Sequence, residues 1–409
     1  MAHAATINPP ELTERPAHVP EALVRDVDMY NVIKGEEDAQ EAWYNAVKDA
    51  PDLFWTPRHG GYWIARRANL IEEIQEDYSH FSHRNFIIPK HELGHTSMLG
   101  MDPPEHTPLR KVIMPALNKT ALAQLEEHAR VAAKAALDRI YAKGECEFIN
   151  EFATVLPIVV FLDMMGLPQE DREMLLPYVE KETRSPSNEE RAEAQAFMAN
   201  YIGKHIADRK ANPREDLITH IVNADVGDRK ITDSEIMGYC LLLLFGGLDT
   251  VASMIGFFAR FLATHPDERH RIAQDPAVMQ NAIEELIRRH GLSNTAREVT
   301  HDIEFRGVKL KAGDMVQIPN LLHGLDESRH KCPLHVDFDR PTPIRHAAFG
   351  NGPHICPGGI LARRELKVFL QEWLARIPDF EIKPGTTPRI VTGMVNAVQE
   401  LHLVWEPKA

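Results

Sequence analysis

Residues 349–358 read FGNGPHICPG, and this stretch decides how the rest of the chain is read. It sets Cys356, one of four cysteines, inside a turn. Gly350, Gly352 and Gly358 open backbone conformations closed to other residues, and Pro353 and Pro357 stiffen the loop. Such a loop can hold a sulfur still with backbone N–H groups aimed at it. A helix predicted to start near Gly359 adds its positive end, and both effects favour a thiolate. Three readings of Cys356 compete: a buried structural cysteine, a nucleophile with His354 as base, and a metal ligand. The nucleophile is disfavoured, because a side chain two positions away in a turn usually points elsewhere and no oxyanion site suggests itself. Ligation of a metal through a single thiolate fits best.

The remaining cysteines, Cys146, Cys240 and Cys332, lie far apart with no CxxC pair, which suggests neither a disulfide framework nor structural zinc. With 44% hydrophobic and 26% charged residues, the 409-residue chain has the composition of an ordinary soluble globular protein. Its net charge of -14 argues against an extended nucleic-acid surface. The start, MAHAATINPPELTERPAHVPEALV, carries prolines and acids where a signal or membrane anchor needs an unbroken apolar run. A soluble, cytoplasmic protein is expected. No repeat, low-complexity segment or Gly/Ser linker divides the chain, so residues 1–409 are read as a single domain, and a monomer is expected.

Working outward, residues 52–71 hold aromatic and β-branched residues around His59-Gly60-Gly61, a hairpin signal following some 45 irregular, proline-rich residues. Apolar residues recur at helical spacing over 119–142, through the 160s and 190s, and over 215–225. Thr232 and Glu235 have capping-box spacing, and His265-Pro266 supplies a stop. One helix of more than thirty residues is predicted between them, apolar nearly all round and therefore internal. A membrane span is the competing reading, opposed by Gly246, Gly247 and Asp249 in mid-run. Further helices are predicted over 276–290 and 359–377, with short strands at DIEFRGVKL, MVQIPN and the C-terminal tail. The fold class is mainly α with small β-sheets at the two ends of the chain.

At this point the residues carry a resemblance. FGNGPHICPG resembles the haem-binding loop of the cytochromes P450, the haem-thiolate monooxygenases, in the pattern Phe-Gly-x-Gly-x-His/Arg-x-Cys-x-Gly. The resemblance implies that fold, a helical prism with haem b between the long central helix and the cysteine loop, and Cys356 as the axial iron ligand. His354 would pair with a haem propionate, and Phe349 would pack beside the sulfur. In EELIRRH, Glu285 and Arg288 resemble the family's structural ion pair, completed by Arg340 from HVDFDRP. GGLDT resembles its oxygen-binding groove, with Gly246 and Gly247 leaving room for dioxygen, Thr250 donating a hydrogen bond and Asp249 relaying protons. Arg110 in MDPPEHTPLR and Arg297 in SNTAREV fall where the family places propionate-binding arginines, although either could be a surface residue.

The likeness covers nearly the whole chain and is greatest to the bacterial camphor hydroxylase group, carried by LLLLFGGLDTV, MDPPEH, EELIRRH, LARRE and RIPDFEI. It implies O2 as co-substrate and electrons from NADH through a flavoprotein reductase and a two-iron, two-sulfur ferredoxin. The carrier would dock on a basic patch of Arg110, Lys111, Arg345, Arg363 and Arg364. One departure matters: the loop before MDPPE lacks the tyrosine that holds camphor's ketone, and His95, Thr96 and Ser97 offer no clean replacement. The substrate expected is a small terpenoid or an ionone-like norisoprenoid, with camphor as the alternative; a remote alternative is a haem-thiolate sensor without turnover. Leu242, Phe245 and Val395 are pocket candidates that could equally be plain core.

Overall fold

The computed structural model describes residues 12–35, 38–90 and 98–407. The predicted hairpin forms from the strands Leu53–Thr56 and Tyr62–Ala65, antiparallel, with Trp55 opposite Trp63. Its turn carries positive φ at His59, Gly60 and Gly61, and a Cβ on Gly61 would overlap the Trp55 ring. Only glycine fits that approach. The expectation of separate sheets at the two ends is corrected. The hairpin joins Met315–Pro319, Asn294–Val299 and Phe81–Ser82 in one five-stranded sheet. Val316 pairs parallel with Trp63, a register between distant segments that no local pattern encodes. The tail strand His402–Val404 lies between Glu381–Ile382 and Glu145–Glu147.

Helices dominate. Lys119–Ile140, Asn188–Ala211, Met279–Arg289 and Gly359–Arg376 lie within a few residues of the positions their periodicity assigns. In the expected irregular N-terminal region, the helix Ala39–Val47 forms, capped by Asp38, after a 3-10 turn at Glu21–Leu23. The long central helix is interrupted. Asp233–Gly247 begins at the predicted Thr232–Glu235 capping box, and Thr250–Thr264 continues it beyond Leu248 and Asp249. Two consecutive glycines weaken the helix, and aspartate competes for backbone hydrogen bonds. The Thr250 hydroxyl donates to the Gly246 carbonyl at 2.9 Å across the break.

The two halves serve different cores. Ile236, Tyr239 and Leu244 pack with Leu162 and Ile202, whereas Ile255, Phe258 and Leu262 pack with Phe148, Phe369 and Trp373. The 233–264 segment is long and apolar enough to cross a membrane, but its packing between these clusters is that of an internal helix.

Beneath the sheet, the structure brings Glu285, Arg288 and Arg340 together. Arg288 donates to both Glu285 oxygens at 2.7 Å, and Arg340 Nε donates to Oε1 at 2.7 Å. The Glu285 and Arg288 side chains are fully buried. The spare donors end on chain: Arg288 reaches the Pro333 and His335 carbonyls at 2.7 and 3.1 Å, and Arg340 reaches His335 at 2.9 Å. The two arginines share one carboxylate and spend their other donors on backbone carbonyls, so no charge in the network lacks a partner.

A second buried pair ties the first helix to the same region. Asp38 accepts from Arg289 at 2.9 Å and caps Ala39–Val47 through the Glu41 N–H. Burial opposes its charge, but Arg289, His290, the Glu41 N–H and Arg260 outweigh burial and hold its pKa at about 2.

Two predictions follow from these networks. Arg288→Met should lower unfolding free energy by about 3–5 kcal/mol by leaving buried Glu285 Oε2 and the Gly324 and Pro333 carbonyls without the donors Arg288 supplies, and Arg288→Lys should fail to rescue it, because one ammonium cannot reproduce the fork; urea titration measures both. Asp38 has a lower pKa folded than unfolded, so its stabilisation is complete above pH 4 and lost as pH falls towards 2. Asp38→Asn should therefore cost roughly 2 kcal/mol at pH 7 and flatten the acid limb of a stability–pH curve.

Candidate functional site

The cysteine loop is fastened at its rear to the helix Ala68–Glu76. Gly350 and Gly352 have φ of 73° and 65°, and a Cβ on Gly352 would lie 2.5 Å from the Gln75 carbonyl oxygen. Both need to be glycine. Gly358, expected to act the same way, does not: its φ is -76°, and its contribution is its N–H. Asn351 Nδ2 donates to Gln75 Oε1 at 3.0 Å, and the Cys356 N–H donates to the Phe349 carbonyl at 2.8 Å, closing the loop.

Burial pushes the Cys356 thiol pKa up, while the Gly358 N–H, Arg110, the Gly359 N–H and Arg363 favour the thiolate. The residue is exposed by accessible area, although protein surrounds it densely enough for burial to dominate its titration. Both hold for a side chain lining an interior hollow. Phe349 lies beneath the Arg363 guanidinium, whose carbon is 4.5 Å from the ring centroid. Arg110 donates to the Ile355 carbonyl next to the cysteine.

Above the loop, cationic and imidazole groups converge with little to balance them. His354 stacks on His83 with centroids 3.9 Å apart and lies 4.2 Å from His106. Its side chain is 4% exposed, its Nε2 lies 4.0 Å from Asp102 Oδ1, and neither ring nitrogen has a hydrogen-bond partner among the described residues. Burial, His106, Arg297 and Arg110 together push its pKa down to about 2. Arg297 is buried and donates to its neighbour's carbonyl, Ala296, with no carboxylate in ion-pair range among the described residues. Burial alone brings that guanidinium down to about 9, with Asp102 acting weakly against it. Buried donors in this condition require an anion. His83 and His106 escaped the sequence reading. His106 stands four residues before Arg110 on His106–Arg110, a spacing that could have revealed it; His83 is brought in by tertiary contact, its N–H held by Asp102 at 2.9 Å.

On the central helix the two glycines part company. Gly246 is exposed, with nothing within 4 Å of where a Cβ would stand, so it borders open space. Gly247 does not. A Cβ there would be 2.2 Å from the Phe161 ring, which makes Gly247 a helix-packing contact and corrects the expectation that both glycines face the cofactor. Asp249 is also less free than expected: its Oδ2 accepts from Arg184 at 2.6 Å, and the same arginine nitrogen reaches Ser253 Oγ at 3.1 Å.

Of the pocket candidates, Leu242 and Phe245 are half-buried against the core, Val395 is buried within it, and His95 lies outside the described residues. The proposed basic patch is partly neutralised. Arg363 pairs with Glu284 and Arg364 with Glu126, which leaves Lys111 and Arg345 exposed beside the exposed apolar side chains Met114, Ile355 and Ile360. A surface groove of about 590 Å³ lined by Arg130, Met279, Lys367 and Leu374 contains none of the predicted site residues.

Comparison with known proteins agrees with this geometry. The family model for cytochrome P450 matches residues 168–400. A probable cytochrome P450 127A1 from Sinorhizobium fredii is 35% identical over 403 residues, 95% of this chain and 96% of its own. A steroid C26-monooxygenase from Mycolicibacterium smegmatis is 29% identical over 394 residues, 94% of this chain and 97% of its own. The crystal structure of CYP101J2 superposes with a TM-score of 0.88 at 36% identity, covering 96% of this chain and all of that one. With its glycine-built cysteine loop, its cluster of buried cationic and imidazole groups and these relatives, the chain belongs to the cytochrome P450 family, as a monooxygenase whose cofactor is haem b.

Proposed function

We propose that the chain hydroxylates an unactivated C–H bond of a small hydrophobic terpenoid or ionone-like norisoprenoid, with Cys356 as the axial ligand of the haem iron. The observation that carries the reading is the conjunction of a sulfur cradled by two backbone N–H groups with a buried Arg297 that has no carboxylate in ion-pair range among the described residues and a buried His354 whose ring nitrogens make no hydrogen bond there. An iron for the Cys356 sulfur and two carboxylates for the cationic cluster are what haem b would bring to these positions. Arg110, Arg297 and His354 would hold the propionates, and Phe349 would pack beside the ligating sulfur. When bound, thiolate-ligated haem supplies the activation of dioxygen. The overall balance is one C–H bond and O2 converted, with two electrons and two protons, to C–OH and water.

The chain's own residues handle protons and exclude water. Thr250 Oγ1 stands at the break beside the open face of Gly246, and its proton points at the Gly246 carbonyl. Rotation about χ1 would turn that donor towards the hollow, and Gly246 leaves the space for it. Arg184 holds Asp249 Oδ2 and opposes its protonation, so loosening of that ion pair would favour the relay of a proton to Thr250. This acid–alcohol pair favours turnover over a sensor, which has no use for a proton relay. In this reading the half-buried Leu242 and Phe245 would give the hollow an apolar wall suited to a hydrocarbon skeleton.

The electron donor in this reading is NADH, acting through a flavoprotein reductase and a two-iron, two-sulfur ferredoxin that docks at the face nearest Cys356. Exposed Lys111 and Arg345 would attract an acidic carrier there, and Met114, Ile355 and Ile360 would give it apolar contact. Camphor remains the second substrate reading because of the motif likeness to the camphor hydroxylase group.

Three measurements check these assignments. The reduced, carbon-monoxide-treated protein should show the red-shifted Soret band of a thiolate ligand, and Cys356→His should abolish it; a histidine-type spectrum in the parent removes Cys356 from the iron. Thr250→Ala should lower product formed per NADH at least about tenfold while NADH use continues, and unchanged coupling removes Thr250 from the relay. Ionone-like ketones should drive the low-spin to high-spin shift more fully than camphor, and the reverse order overturns the substrate assignment.

A further inference from the structure

Adjacent glutamates on the helix Met279–Arg289 reach two different parts of the fold. Glu285 is consumed by Arg288 and Arg340. Glu284, about 100° round the helix from it, goes instead to the two segments that flank the cysteine loop. Its Oε1 accepts from Arg363 Nε at 2.6 Å, and its Oε2 accepts from Arg363 Nη2 at 3.0 Å and faces His346 Nε2 at 3.2 Å. The Ala348 N–H donates to His346 Nδ1 at 3.3 Å, so Nε2 carries the proton that Glu284 accepts. Burial opposes charge on Glu284, but His346 and Arg363 hold it ionised, with a pKa of about 2.

Arg363 is thereby fixed on three sides. Glu284 grips it bidentately, the Gly359 carbonyl accepts from its Nη1 at 3.1 Å, and its guanidinium carbon lies 4.5 Å from the Phe349 ring centroid. That ring belongs to the residue whose carbonyl accepts from the Cys356 N–H. A Cβ on Gly359 would come within 3.3 Å of the ring and 3.4 Å of Arg363 Nη1, so the absence of a side chain there admits the stack. Arg363 also favours the thiolate form of Cys356. A guanidinium held in this manner is a fixed charge rather than a free surface arginine.

We propose that Glu284 is a positioning residue for the cofactor: it holds Arg363 flat against Phe349 behind Cys356, and the two opposite charges together set the reduction potential of the haem iron. The proposal rests on the reading of Cys356 as the iron ligand. Removing the positive charge of Arg363 makes reduction harder, and removing the negative charge of Glu284 makes it easier, because reduction adds an electron to the charged site.

The test uses the purified holoenzyme, with spectroelectrochemical titration of the iron and the carbon-monoxide difference spectrum. E284Q should raise the potential, R363M should lower it, and E284Q/R363M should return it close to that of the parent. R363K keeps the charge and loses the fork, so it should leave the potential near the parent value while haem is lost faster to an apo-protein acceptor. A purely structural role predicts that E284Q and R363M shift the potential in the same direction as the loop loosens, or leave it unmoved; either result overturns the proposal. A parent without the thiolate-type carbon-monoxide band defeats the reading of Cys356 itself, whatever the order of the variants.

Discussion

The fully buried carboxylate of Glu285 is the point from which the rest of the molecule is arranged. A charge in that position is tolerable only if it is paired and hydrogen-bonded, and the chain meets the condition by bringing two arginines and the Asp337 N–H to it. The spare donors of those arginines end on backbone carbonyls between Cys332 and His335 and on Gly324. Irregular chain with no ladder of its own is thereby given a fixed path. That path leads into the cysteine loop, so the placement of the sulfur depends on a network that never touches it.

The same helix carries a second anchor on its next residue. Glu285 fixes the segment before the loop, and Glu284 fixes the arginine that backs the loop's first aromatic ring. One rigid element thus governs both where the sulfur stands and what charge lies behind it. On the opposite side, the break at Leu248 and Asp249 separates a half-helix seated in one core from a half-helix seated in another. Gly246 opens towards the hollow, and Gly247 closes against Phe161. A local weakness in the helix is placed where space is needed, and its cost is offset by packing on both flanks.

Charge balance explains why the region above the loop reads as a cofactor site. His83, His106, His354, Arg110 and Arg297 approach one another, with Asp102 as the nearby carboxylate. Burial depresses the basicity of His354 and Arg297 to values that a bound dianion would restore. The distribution of charge outside is different. Arg363 and Arg364, legible as a basic patch, are spent on Glu284 and Glu126, and the exposed face beside Cys356 is as apolar as it is basic.

Much of this was legible in the sequence, for a physical reason. The glycines at 350 and 352 encode backbone geometry that no other residue adopts, the 3.6-residue periodicity encodes which helices are internal, and the capping box at Thr232 encodes a helix start. Each of these is a constraint between near neighbours, so a string of residues suffices to express it. The sequence by itself therefore determined the glycine-built cysteine loop, the Glu285–Arg288 pair and the mainly helical architecture. Only the tertiary structure decided that Gly247 packs rather than lines, that Asp249 is held by Arg184, that His83 joins His354, and that Glu284 reaches Arg363. Those contacts join segments remote in the chain, and their partners are selected by burial and charge compensation in three dimensions, which no spacing along one dimension records.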